Sequence, residues 1–231
     1  VDQAGMIKHG PGGTFRIGVS PTVGPYLLPH ILPELHREYS TLKLYVRENM
    51  PKILENDLLE GRLDLVLIPL PFNNNKFTCE ILFHEPLQLV LPIEHKLAKL
   101  KTLKPSHLRN QNVLTLEERY SHYRLVQEAC EELGAVILRD YEGTSLDALR
   151  QMVVMGMGIA FLPSLYIHTE IHQPEALVVA TVEKLKLTRT HVLAWRKNSP
   201  NRAFYKQLAA AIRQFVKDKL DVVALEYSDN L

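Results

Sequence analysis

The chain has 231 residues, 46% hydrophobic and 23% charged, and its 27 Lys and Arg against 26 Asp and Glu leave a net charge of +1. That composition excludes a disordered or fibrous chain and fits one large domain or two small ones. Near-neutral charge lacks the clustered positive footprint of a nucleic-acid-binding surface, and no run reaches the ~20 apolar residues that a membrane helix needs.

Residues 1–13 lack the apolar core of a signal peptide, and Gly10, Pro11, Gly12 and Gly13 read as a linker remnant. Phe15 to Val19 is a short strand, and Ser20 to Pro25 is a turn that opens a helix. That helix carries Leu27, Ile31 and Leu35 at i, i+4 spacing, with Leu28 and Leu32 alongside. Pro25 and Pro29 suit its first turn, whereas Pro33 predicts a bend. Leu42 to Val46 is the second strand; Pro51 starts a helix through Leu59, and Gly61 ends it. Leu63 to Ile68 is almost continuously apolar, as a strand covered on both faces must be. The order β-α-β-α-β implies a parallel sheet with right-handed crossovers.

Two strands follow, around Glu80 to Phe83 and Leu87 to Leu91. The basic run Lys96, Lys99, Lys101 and Lys104 reads as a solvated loop. A second alternating set comes next: strand Asn112 to Leu116, helix Tyr123 to Leu133, strand Val136 to Tyr141, helix Ser145 to Met155 and strand Ile159 to Leu162. Strands near Leu177 to Thr181 and His191 to Trp195 precede a long amphipathic helix, Arg202 to Leu220. Two α/β units in series, joined through a strand pair, predict two lobes sharing a two-strand hinge. Lobe I takes 14–83 plus 190–231 and lobe II takes 84–189. The mouth between two lobes is a preferred place for a small ligand.

Small polar residues gather where strands give way to helices. Ser20, Pro21 and Thr22 precede the first helix, Tyr120 and Ser121 precede the helix carrying Cys130, and Thr144 and Ser145 precede the next. Helix N-termini present free N–H groups to anions and polar ligands, although serine and threonine also cap helices with no ligand at all. Open α/β sheets bind ligands at the carboxyl ends of their strands, so three such places favour an effector site. Gly156-Met157-Gly158 leaves a helix and lacks the third glycine of a dinucleotide loop; a helix end and tight turn is the better reading. His168 and His172 have metal-like spacing in what reads as a surface loop without further ligands. No nucleophile, base and orienting acid stand in a catalytic context. We therefore expect no enzyme activity, no cofactor and no metal. Cys79 and Cys130 are too few for a disulfide framework, which points to a reducing cytoplasm. Cys130, with Val126 and Leu133, shares an apolar helix face where an inert buried thiol is the common outcome.

Ile17 to His30 resembles the first strand and helix of LysR-type regulatory domains of the OxyR group, which sense peroxide. Gly61 with Leu63-Asp64-Leu65-Val66-Leu67 resembles a strand common to LysR-type effector domains, and Glu85-Pro86-Leu87 fits the hinge strand. Thr144 to Val153, followed by Gly156, Gly158-Ile159 and Leu162-Pro163, is the most specific stretch; Trp195-Arg196 and Ser199-Pro200 complete the pattern. The resemblance covers about Phe15 to Lys219. It implies a two-lobed α/β fold like that of periplasmic binding proteins, with parallel-rich sheets. It also implies DNA binding through an N-terminal helix-turn-helix outside this chain, a homodimer that becomes a tetramer at full length, RNA polymerase as a further partner, and a cytoplasmic address. An apolar surplus on the first helix, Tyr26 through Leu35, points the same way on dimerisation.

One departure matters. The OxyR group carries a peroxide-reactive cysteine in a Gly-His-Cys-x-Arg-Asp-Gln pattern and a resolving cysteine nine residues later. Cys130 matches the resolving position, but nine residues earlier stands Ser121, preceded by Tyr120 and followed by His122-Tyr123-Arg124. Two explanations fit: an engineered serine that traps the reduced form, or a relative that senses another small polar or anionic effector in the same cleft. A solute-binding protein of the same fold is a further alternative class.

Overall fold

The computed structural model describes residues 13–72, 75–100, 102–139, 143–171, 176–221 and 223. The chain divides into two compact units. One comprises residues up to His84 together with Thr190 onward, and the other runs from Glu85 to Arg189.

In the first unit β1 (Gly13–Val19) pairs in parallel with β2 (Leu42–Glu48) and with β3 (Leu65–Pro69), and β3 pairs antiparallel with β10 (Thr188–Arg196). Every residue of β3 is buried, as its continuous apolar run requires. Helix α1 (Gly24–Glu38) buries Tyr26, Leu27, Leu28, Ile31 and Leu35, and α2 (Pro51–Leu59) buries Leu54 and Leu58. Gly61, at φ 77°, ends α2 in the left-handed conformation that a side chain would strain.

Helix α1 runs unbroken through Pro29 and Pro33. Pro25, Pro29 and Pro33 recur every four residues and are all exposed. The proline rings thus lie on the solvent side of the helix rather than against its core face. The apolar surplus that we read as a dimer signal is also taken up within the chain, since only Leu32 of that stripe is more than slightly exposed. The closing helix α6 (Arg202–Lys219) packs Phe204 and Tyr205 against Phe15, tilted at a ring-centroid distance of 5.2 Å and edge-on at 5.7 Å.

In the second unit β8 (Ile159–Pro163) pairs antiparallel with β4 (Phe77–Pro92) and parallel with β6 (Asn112–Leu114), which pairs parallel with β7 (Val136–Ile137). On the other side of β4 lies β9 (Leu177–Val182), followed by β5 (Thr102–Leu103), a strand not foreseen in the sequence. The core gathers Leu89, Leu91, Val113, Val126, Cys130, Phe161 and Ala180 around helix α3 (Ser121–Leu133).

Three readings change here. The two strands expected on either side of Pro86 are one strand, β4; the Pro86 carbonyl accepts the Ser164 hydroxyl at 2.9 Å, and Leu87 N–H donates to Leu187 O at 2.7 Å. The strand expected from Val136 is only two residues long, and Tyr141 lies outside the described residues. His168 belongs to a short helix, α5 (Ser164–Glu170), rather than a loop; His172 lies outside the described residues. The reading of Gly156 as a helix end holds: it follows α4 (Leu146–Val154) at φ 77°, a left-handed conformation, while a Cβ on Gly158 would sit 2.8 Å from the Asn112 carbonyl oxygen, so conformation explains the first glycine and close backbone contact the second.

Candidate functional site

The sequence placed six polar residues at helix starts; the structure gives them three different jobs. At α1, Ser20 and Thr22 are buried and their hydroxyls lie 3.1 Å apart. The N-cap of α1 is Val23, which has no side chain able to cap. The Ser20 carbonyl instead accepts the N–H groups of Val23 and Gly24, at 3.0 and 2.8 Å. Pro21, between them, is partly exposed. These residues belong to the first unit.

The other four belong to the second unit. Ser145 is a side-chain cap: its hydroxyl accepts the Asp147 N–H at 3.2 Å and so satisfies one orphan donor of α4. Thr144 is exposed, but its carbonyl accepts the Tyr120 hydroxyl at 3.1 Å. The loop between β6 and α3 is further joined to this strand end by Glu117 N–H to Gly143 O, at 2.9 Å. Tyr120, Ser121, Thr144 and Ser145 are thereby brought to one end of one sheet, at the carboxyl ends of strands.

Ser121 differs from its neighbours. It was expected just before the helix, but it is the first residue of α3, with Tyr120 as an extended cap that makes no side-chain bond to the helix. Its Oγ is buried and has no hydrogen-bond partner; Oε1 of Glu117, four residues earlier, is in the same condition. Buried polar atoms are nearly always satisfied, which sets these two apart from the bonded groups around them. The other Glu117 oxygen accepts Arg119 at 2.7 Å. Glu117 went unnoticed in the sequence, because a lone glutamate in a loop carries no pattern.

His122 follows. It is 1% exposed; its Nε2 lies 2.8 Å from the Phe161 carbonyl oxygen and its Nδ1 lies 3.4 Å from the Thr115 hydroxyl. A carbonyl only accepts, so Nε2 carries the proton, and the bare Nδ1 accepts from Thr115. Burial pushes the His122 pKa down to about 4, so the ring is neutral at ordinary pH. The buried pair Arg189 and Glu85, 2.8 Å apart and fully enclosed, acts on the same ring with opposite signs. Glu85 also accepts the Leu165 N–H at 2.9 Å.

Cys130 is buried and Cys79 exposed, and both thiols are held toward their protonated form. Burial foremost, with the Glu131 charge beside it, pushes Cys130 up to about 11, and burial also raises Cys79. Thiolate is the nucleophile and oxidation target, so both stay protonated at neutral pH. Ser121 and Cys130 lie nine residues apart on one continuous helix, which separates them by about 13 Å along its axis. A disulfide tolerates no more than ~7 Å between Cα atoms. Among the described residues there is no group of three or more His, Cys, Asp or Glu placed to hold a metal ion, and no helix long and apolar enough to cross a membrane.

Comparison with known proteins agrees with this architecture. Residues 8–219 match the LysR substrate binding domain model. The DNA-binding transcriptional dual regulator OxyR of Escherichia coli (strain K12) is 36% identical over 221 residues, covering 96% of this chain and 71% of that protein. The crystal structure of the oxidized form of OxyR superposes with a TM-score of 0.81 at 35% identity, over 91% of this chain and 99% of that one. A reduced form of OxyR from N. meningitidis gives 0.82 at 28% identity, over 93% and 99%. These relatives are transcription regulators, and the two-lobed α/β fold expected from the sequence is theirs. The chain belongs to the LysR substrate-binding domain family, within which it is homologous to the OxyR hydrogen peroxide-inducible activators.

Proposed function

We propose that this chain is the effector-sensing regulatory domain of an OxyR-like, LysR-type transcription regulator, and that it receives a small polar effector without covalent chemistry. The observation that carries the reading is the Ser121 hydroxyl: it is buried and partnerless, at the first turn of α3, where peroxide-sensing relatives place a thiol. Serine cannot enter the oxidation ladder that begins at a thiolate. The effector would engage the Ser121 hydroxyl and free N–H groups of the α3 turn, and would offer a donor to Glu117. Thr144, Ser145 and Tyr120 would shape the same end of the sheet; Ser20, Pro21 and Thr22, in the first unit, would be a separate candidate place for a polar ligand. The full-length regulator would bind DNA through a separate helix-turn-helix, assemble with itself, engage RNA polymerase and work in the cytoplasm. This domain, with a net charge of +1, would bind duplex DNA poorly by itself.

The test exposes the chain to micromolar hydrogen peroxide and counts free thiols. Cys79 and Cys130 are expected to stay reduced; rapid loss of both to one internal disulfide would overturn the reading. Cys130 itself favours a second reading, in which Ser121 replaces a reactive cysteine. Under that reading Ser121→Cys would lose two thiols to a disulfide with Cys130 on the same treatment.

A further inference from the structure

We propose that His122 is a positioning residue that latches the first turn of α3 to strands β6 and β8, and thereby holds the Ser121 hydroxyl in place. The geometry is specific. Nε2–H donates to the Phe161 carbonyl in β8, and Nδ1 accepts from Thr115, the residue that follows β6. One ring thus joins the second residue of the helix to two neighbouring parallel strands. Its other ties are few: the Tyr120 hydroxyl donates to the Thr144 carbonyl and the Tyr123 N–H to the Tyr120 carbonyl, both at 3.1 Å, while neither Tyr120 nor Ser121 makes a side-chain bond to the helix. By contrast the far end of α3 closes on Gly134, at φ 65°, with N–H groups of Gly134 and Ala135 on the Cys130 carbonyl. Helices open from their least-tied end, so removing the ring frees the end that carries Ser121 and leaves the end that carries Cys130.

Fixing this turn keeps positions 121 and 130 at opposite ends of one helix. A latch at His122 therefore controls whether they can ever meet, which they can do only if the first turns of α3 unwind.

The latch is tested in two arms. In the first, amide hydrogen exchange is followed in the unmodified chain, His122→Leu and His122→Gln. Leucine removes both bonds, whereas glutamine retains an N–H donor for Phe161. His122→Leu is expected to speed exchange about 10-fold at Tyr123, Arg124 and Leu125 while α6 amides keep their protection, and His122→Gln to restore most of it. Unchanged exchange at those three amides overturns the proposal. So does equal acceleration throughout α6, which would make His122 a general stabiliser.

The second arm rests on the reading of Ser121 above; the first does not. Ser121→Cys and Ser121→Cys with His122→Leu are treated with diamide, whose N=N bond takes up the two thiol hydrogens and becomes a hydrazine as the S–S bond forms. The double variant is expected to close the Cys130 disulfide about 10-fold faster. Equal rates, with the first arm positive, would leave the latch intact and overturn its control over the 121–130 approach.

Discussion

The starts of α3 and α4 are built from the same kind of sequence, a tyrosine or threonine followed by serine, yet they are held in different ways. At α4 the Ser145 hydroxyl caps the helix by accepting the Asp147 N–H. At α3 the equivalent duty passes to His122, which ties the turn to two strands and leaves Ser121 with a buried hydroxyl and nothing to bond. A cap that is used is structure; a hydroxyl left unused in a buried place costs free energy, and its retention there points to a ligand. The two starts therefore answer differently to perturbation.

Acid should separate them most. His122 is held neutral in the folded chain, with its pKa lowered from 6.5 to about 4. The unfolded chain takes up that proton first as the pH falls, so this contribution is complete above 6.5 and is lost between 6.5 and about 4. The loss approaches roughly 3 kcal/mol by the end of that window, at about 1.4 kcal/mol per pKa unit. Urea midpoints for the chain and for His122→Gln, compared across it, isolate this residue from other groups that titrate. The chain should lose stability more steeply with acid than the variant; parallel curves would mean that the ring is not buried neutral.

Ser145→Ala is the counterpart at α4. It removes the bond to Asp147 N–H and should cost about 1 kcal/mol at every pH from 5 to 8, because no proton is involved. Equilibrium unfolding at two pH values measures it. A loss below a few tenths of a kcal/mol would show that Ser145 caps no more strongly than alanine.

Much of this contrast could be anticipated from periodicity and much could not. The α1 stripe of Leu27, Ile31 and Leu35 and the apolar β3 run announce their burial, because packing enforces a period that sequence displays. Ser145 before Leu146 is a legible cap. The start of α3 is not legible: Ser121 and His122 are polar, so the apolar pattern begins only later, and the helix was expected at Tyr123. His122 is buried for its two hydrogen bonds, to residues 7 and 39 positions away, and such bonds leave no period. The Glu85–Arg189 pair spans 104 positions and is equally silent. Strand β4 runs through Pro86, whose carbonyl accepts the Ser164 hydroxyl from 78 positions away, and that bond too leaves no period. Residues that pack are read from neighbours in sequence; residues that bond across the sheet are read only from the fold.

Ser121→Ala gives the smallest effect on stability, and its sign is what sharpens the comparison. The substitution deletes a buried oxygen that has no partner, so no bond is lost on the folded side. It also places the best helix former at the first helical position, where the helix gains up to a few tenths of a kcal/mol. Relief of an unsatisfied hydroxyl works in the same direction. We therefore expect Ser121→Ala to leave stability unchanged or raise it by up to about 1 kcal/mol, whereas the same change at Ser145 lowers it. The measurement is a pair of urea curves at pH 7 with the unmodified chain as reference. A loss near 1 kcal/mol at Ser121 would mean that its hydroxyl is bonded and structural after all, and the distinction between the two helix starts would collapse. No loss of stability, together with a loss of effector response in the full-length regulator, would assign the hydroxyl to recognition.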